Sequence, residues 1–249
     1  MTAFRPDNGS RSRPAGEIHD PGRRGAAGDE APSGARPEPA VLPSALRTAL
    51  LPVAVLAALL VAVLGALYAG HDSPGRLDGW FRPERDGVAP PWRYAALAVD
   101  FLAEPAGAAV LLSAAVAGCL VRRRPRAAVF LVVGAVLTVG VTKVLKPLVG
   151  RTIHDGFLSY PSGHTAFLTA FAVMAALLVA GRLGLRRTPG TLLVLASALA
   201  AGAVMGWAQV ALGAHYPTDV LGGWGTALVV VPVTAWLVDR TAAPGRRRD

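Results

Sequence analysis

Two apolar stretches without a single charge, residues 49–69 and 127–141, constrain this chain more than any other feature. A helix rises about 1.5 Å per residue and the hydrocarbon layer of a bilayer is about 30 Å thick, so about 20 such residues cross it. Every backbone polar group inside lipid must be satisfied within the segment, which makes these stretches helices. The rest of the sequence agrees. Only 16% of its 249 residues are charged, against about a quarter in a soluble domain. The fold class expected is an all-α, six-span transmembrane bundle.

The spans fall near 47–69, 96–121, 127–149, 164–181, 191–212 and 217–238. The second carries Asp100, Glu104 and Pro105 in its first part, so its lipid-facing portion is expected to start near residue 103. Asp100 and Glu104 lie one helical turn apart on a shared face. They are either functional intramembrane acids or acids at the interface. Residues 1–42, rich in Pro, Gly and charge, lack apolar periodicity and read as a disordered tail. They are not a signal peptide, because the first apolar stretch is too long for one. The expected organisation is a tail over 1–42, a first span and outer loop over 43–95, a core over 96–238 and a basic tail over 239–249.

A formal net charge of +9 raises nucleic acid as a partner, but the arginines cluster beside apolar spans, a pattern that sets membrane orientation instead. Arg36 and Arg47, Arg122–Arg126, Arg182 with Arg186 and Arg187, and Arg240 with Arg246–Arg248 all fall on one side if there are six spans. That side is expected to be cytoplasmic, with both termini. The loop over 70–95 mixes Asp72, Asp78, Glu84 and Asp86 with Arg76, Arg82 and Arg85 on the other side. Cys119 is the sole cysteine, so no intrachain disulfide forms.

The chemistry concentrates between residues 143 and 219. Of 25 cationic residues only two, Lys143 and Lys146, are lysines, and both sit at the outer end of the third span, followed by Arg151 after Pro147 and Gly150. Fixed cations there form an anion site or snorkel to the interface. Tyr160-Pro161-Ser162-Gly163-His164-Thr165 opens the fourth span. Ser162 suits the N-cap, and the free N–H groups of a helix start, at Gly163 and His164, bind anions. His164 then stands beside the anion as a proton donor, or is a spectator next to a simple cap.

Gly213-Ala214-His215-Tyr216-Pro217-Thr218-Asp219 opens the sixth span. His215 and Asp219 are four apart, so a helical start makes them neighbours, and a carboxylate on one ring nitrogen leaves the other free to attack or bind. A His/Asp pair also occurs in metal sites. A metal needs further ligands, and only His154, Asp155 and His164 are at hand, so no metal or cofactor is expected.

These motifs, in this order, resemble the type 2 phosphatidic acid phosphatases (PAP2), which share a helical core with vanadium haloperoxidases and bacterial acid phosphatases. That family has Lys-x6-Arg-Pro, Pro-Ser-Gly-His and Ser-Arg-x5-His-x3-Asp. Pro161–His164 matches the second in full, and His215 with Asp219 matches the second half of the third. Lys146-Pro147-Leu148-Val149-Gly150-Arg151 resembles the first with altered spacing. Counted from Lys146, the Arg-Pro positions hold Ile153-His154, and either Lys143 or Lys146 fills the lysine role, with the Val-Gly-Arg context favouring Lys146. Ala208-Gln209 stands in place of Ser-Arg. Loss of one charged hydrogen bond costs about 1.5–3 kcal/mol, about tenfold to a hundredfold in rate.

The resemblance implies a metal-independent phosphatase. His215 is its nucleophile and forms a phosphohistidine, Asp219 orients it, and His164 is the general acid. Lys146, Arg151, Ser162, Gly163 and Gln209 hold the phosphate. It implies a lipid phosphate or prenyl diphosphate substrate, phosphatidic acid and undecaprenyl diphosphate among the candidates, met at the extracytoplasmic face of a cell membrane. A non-catalytic protein that binds or moves lipid phosphates is the alternative, and loop cations that merely touch anionic headgroups are a third reading. Neither the particular lipid nor the oligomeric state is encoded in these motifs.

Overall fold

A computed structural model describes residues 38–80 and 88–242. The expected disorder of 1–37, the charges at Arg82, Glu84, Arg85 and Asp86, and Arg246–Arg248 of the C-terminal tail lie outside the described residues. The described chain is helical apart from one short hairpin. Its elements run α1 (Ser44–Leu67), α2 (Arg76–Gly79), α3 (Pro90–Phe101), α4 (Pro105–Val121), α5 (Pro125–Val149), β1 (Thr152–Ile153), β2 (Phe157–Leu158), α6 (Gly163–Arg182), α7 (Arg187–Ala211) and α8 (Pro217–Thr241). Five of these helices are long and apolar enough to cross a membrane, and α3 with α4 makes a sixth if the bent pair is one span. The chain is an all-α, multi-pass membrane bundle.

The second expected span differs from a single helix over 96–121. Helix α3 starts earlier, at Pro90, and a break at 102–104 turns α4 by 56° from it. Proline explains the break. Pro105 has no N–H to continue the ladder and forces the preceding residue out of the α region; Glu104 is extended, at φ −64 and ψ 156. A side chain at Gly107 would overlap the carbonyl of Phe101, so glycine lets the chain double back closely. Helix α3 packs on α7, whereas α4 packs on α5.

Helices α6 and α8 form the interior. They pack on each other; α8 also meets α1, α5 and α7, and α6 meets α5 and α7. Small residues bring the helices close, as membrane packing requires: Ala166 and Ala170 of α6 and Ala227 and Ala235 of α8 are fully or almost fully buried. Leu51, Leu56, Leu59 and Val136 face outward, where lipid is the solvent.

At one end of the bundle, residues 38–42 are docked, in contrast to the tail expected over 1–42. The carboxylate of Asp239 accepts the N–H groups of Val41 and Leu42, each at 2.9 Å. Glu38 accepts the N–H of Arg126 at 3.0 Å, satisfying a free donor at the start of α5. Arg47 and Arg126 each approach Asp239 to 3.8 Å. Three of the segments that the arginine pattern assigns to one side thus meet at one end, held by two carboxylates the pattern did not single out.

Candidate active site

The other end of the bundle gathers the close of α5 and the starts of α6 and α8. Helix α5 ends at Gly150, whose φ of 66 is the left-handed cap that glycine adopts without penalty. The chain then turns inward and carries Arg151 into the protein, where its side chain is fully buried. Nη1 donates to Thr218 Oγ1 and to Asp219 Oδ1, and Nη2 to Asp78 Oδ2, each at 2.6 Å. The guanidinium carbon lies 4.1 Å from the ring centre of Tyr68 and 4.5 Å from that of Tyr216. Planarity makes arginine suited to this, since it can fork to two carboxylates and stack on aromatic faces at once.

Asp78 is the acceptor that sequence reading missed. Its carboxylate also takes the N–H of Gly75 at 2.9 Å and both the N–H and hydroxyl of Thr218, at 3.0 and 2.8 Å. Burial alone pushes this carboxyl up, but the hydrogen bonds from Thr218, Gly75 and Arg151 outweigh it and hold it below its ordinary value of 3.8. Nothing local in the sequence signals this role, because the partners stand 73 and 140 positions away.

Ser162 caps α6 as expected, its Oγ accepting from the N–H and hydroxyl of Thr165 at 3.4 and 3.1 Å. Its own N–H donates to the carbonyl of Asp219 at 2.9 Å, tying the start of α6 to that of α8. A side chain at Gly223 would overlap the Ser162 carbonyl, so the two helix starts touch backbone to backbone. Asp219 caps α8 in turn, Oδ2 accepting the N–H of Tyr216 at 3.0 Å. The same Oδ2 lies 3.6 Å from Nδ1 of His215. That nitrogen is buried and makes no hydrogen bond, so the expected His/Asp neighbourhood exists as an approach rather than a formed bond.

A cavity of about 770 Å³ opens in front of this scaffold. Lys143, Lys146, Gly163, His164 and His215 line its polar head, and it continues between α4 and α5 past Ala109, Leu112 and Val136. Lys146 donates to the carbonyl of Leu158 at 2.6 Å, while Lys143 is exposed. His164 Nε2 lies 3.6 Å from Asp100 Oδ1.

The candidate residues therefore separate into two layers. The two histidines, the two lysines and Gly163 share the cavity. Arg151, Ser162, Asp219 and Gln209 are buried and do not line it. Arg151, Ser162 and Gln209, all expected to hold the phosphate, thus sit behind the cavity and not on its wall. Arg151 is taken by two carboxylates, and the Gln209 amide donates to Asp100 instead. His154 donates from Nε2 to the Gly213 carbonyl at 2.8 Å, bracing the hairpin against the loop that carries His215. Among the described residues no three His, Cys, Asp or Glu side chains converge on a possible metal position.

The class defined here is a multi-pass helical membrane protein with two histidines and two lysines at the head of a largely apolar cavity. Residues 147–242, which hold both histidine motifs, match the PAP2 superfamily. The fold is similar to the crystal structure of the first transmembrane PAP2-type phosphatidylglycerolphosphate phosphatase, from Bacillus subtilis, with a TM-score of 0.60 and 20% identity over 78% of this chain and 98% of that one. At that identity the likeness speaks for the fold. No curated protein matches the chain.

Proposed function

We propose that this protein is an integral-membrane lipid phosphate or diphosphate phosphohydrolase acting through a phosphohistidine. One observation carries the reading: His164 and His215 line the same cavity as Lys146, and the rest of its lining is largely apolar. His215 turns Nδ1 toward Asp219, which leaves Nε2 to attack phosphorus. The bond from phosphorus to the lipid oxygen breaks as His164 gives that oxygen a proton. Water then attacks the phosphohistidine, His164 takes a proton from it, and phosphate leaves with His215 restored. Lys146, Lys143 and the N–H groups at the start of α6 offset the charge on the phosphoryl oxygens. Arg151 serves from behind, by holding the Asp219 that faces His215.

The arginine pattern supports termini in the cytoplasm and a site on the extracytoplasmic face, with substrate entering from the outer leaflet. A second reading, a non-catalytic binder of lipid phosphates, draws on the absence of any arginine among the described residues that line the cavity.

Purified protein assayed on phosphatidic acid, phosphatidylglycerophosphate and prenyl diphosphates decides between them. The hydrolase reading expects vanadate-sensitive phosphate release that His215→Ala abolishes. Binding of these lipids with no release from any of them replaces it with the second reading.

A further inference from the structure

We infer that Asp100, held in place by Gln209, is the positioning residue for His164, so that the site contains two His–Asp pairs rather than one. The inference rests on the phosphohydrolase reading and extends it to a residue outside the three motifs.

The two pairs have matching geometry. Asp219 Oδ2 lies 3.6 Å from Nδ1 of His215, and Asp100 Oδ1 lies 3.6 Å from Nε2 of His164. The rings present opposite nitrogens to their carboxylates. His215 keeps Nε2 for attack, whereas His164 keeps Nδ1 for the leaving oxygen. Catalytic hydrogen bonds are often long in the unliganded state and tighten around the reacting group, which fits both distances.

Asp100 is placed for this by the break in the second span. It lies in the last turn of α3, just before the chain turns toward α4 at Pro105, and its side chain is 17% exposed. It does not line the cavity, so it acts on the histidine without confronting the phosphate. A largely buried acid in a membrane bundle is costly unless partnered, and the partner here is informative. Gln209, itself 1% exposed, donates its amide N–H to the same oxygen that faces His164. A neutral donor fixes a carboxylate without cancelling its charge. A cation there would form its own ion pair with Asp100 and draw it from the imidazole. The charged and titratable groups around His164 are Asp100 and Glu104 from the break, Lys146 from α5 and His215 from the loop before α8. Of these, Asp100 is the carboxylate within 4 Å of its ring.

The test uses leaving-group chemistry. A general acid matters when the departing oxygen is strongly basic, as in an alkyl lipid phosphate, and matters little for p-nitrophenolate. In the full-length protein in detergent, Asp100→Asn is expected to lower phosphate release from phosphatidic acid by about a hundredfold. The initial burst of p-nitrophenolate from p-nitrophenyl phosphate, which reports the first step alone, should change by less than about threefold. Asp100→Glu should recover part of the lipid rate, and Gln209→Met should reproduce the selective loss in weaker form. If the asparagine variant does not fold, the Gln209→Met ratio decides. An equal loss on both esters, or no loss on either, overturns the role of Asp100. A wild-type protein that releases phosphate from neither ester overturns the hydrolase reading itself, a separately recognisable outcome.

Discussion

Arg151 Nη1 and Asp219 Oδ1 stand 2.6 Å apart with both side chains fully shielded from solvent. Asp78 closes the same guanidinium from its other nitrogen at 2.6 Å. Two carboxylates on one cation leave a net negative charge behind the cavity, and Asp219 passes that charge toward His215. In the proposed reaction the arginine is thus part of the frame that carries His215, and its effect on phosphate is indirect.

Removing the guanidinium should act on stability first. Arg151→Ala leaves two buried carboxylates without their cation, a loss of about 3–5 kcal/mol. Arg151→Lys should fail as well, because an ammonium cannot fork to both acids while stacking between Tyr68 and Tyr216. The check is thermal unfolding in detergent. An arginine that contacts substrate would instead raise KM with the unfolding midpoint unchanged.

Asp78 gives the fold an acid limit. Its folded carboxyl lies below 3.8, so the unfolded state binds more protons as pH falls. The stability it contributes is fully present above 3.8 and is lost as pH drops through the lower folded value. Wild type should therefore lose more stability across this window than Asp78→Asn, which should be the less stable of the two at neutral pH. Unfolding midpoints measured along a pH series for both proteins test this, the difference between them isolating Asp78 from other carboxylates.

The backbone contact between α6 and α8 should resist even one methyl group. Gly223→Ala pushes a side chain into the Ser162 carbonyl, an atom that cannot rotate away. A cost of about 1–3 kcal/mol is expected, together with lost phosphate release, since the start of α6 carries Gly163 and His164. Paired activity and unfolding measurements would show both changes.

The two lysines should separate. Lys146 is anchored to the Leu158 carbonyl at the head of the cavity, whereas Lys143 is exposed one turn earlier. Lys146→Met should lower kcat/KM by about tenfold to a hundredfold, and Lys143→Met by less. Kinetics on the preferred lipid substrate decide which lysine holds the phosphate.

Much of this architecture is written locally. The spans are legible because uncharged runs of this length have one stable form in lipid. Ser162 is legible as a cap because a serine followed by glycine suits a helix start, and His215 with Asp219 because of their spacing of four, although the structure brings them together through the capping of α8 by Asp219 and not through a helical turn. The break before α4 is half legible, since Pro105 announces it but its angle comes from packing. The partners of Arg151 are illegible: Asp78 reaches it from a mixed-charge loop 73 positions away. Gln209 looked like a weakened phosphate ligand because its position, not its neighbour Asp100, was in view. Residues 38–42 read as tail because their order comes from Asp239, nearly 200 positions distant.

In the proposed reaction His215 takes the phosphoryl group from a lipid in the cavity it shares with His164 and Lys146. The most direct measurement is rapid quenching of the enzyme during turnover, under alkaline conditions that spare phosphohistidine, followed by peptide mass spectrometry. A phosphoryl adduct is expected on His215, absent from His215→Ala and accumulating when His164 is replaced and a good leaving group is supplied. An adduct on another residue, or phosphate release that persists in His215→Ala, would contradict it.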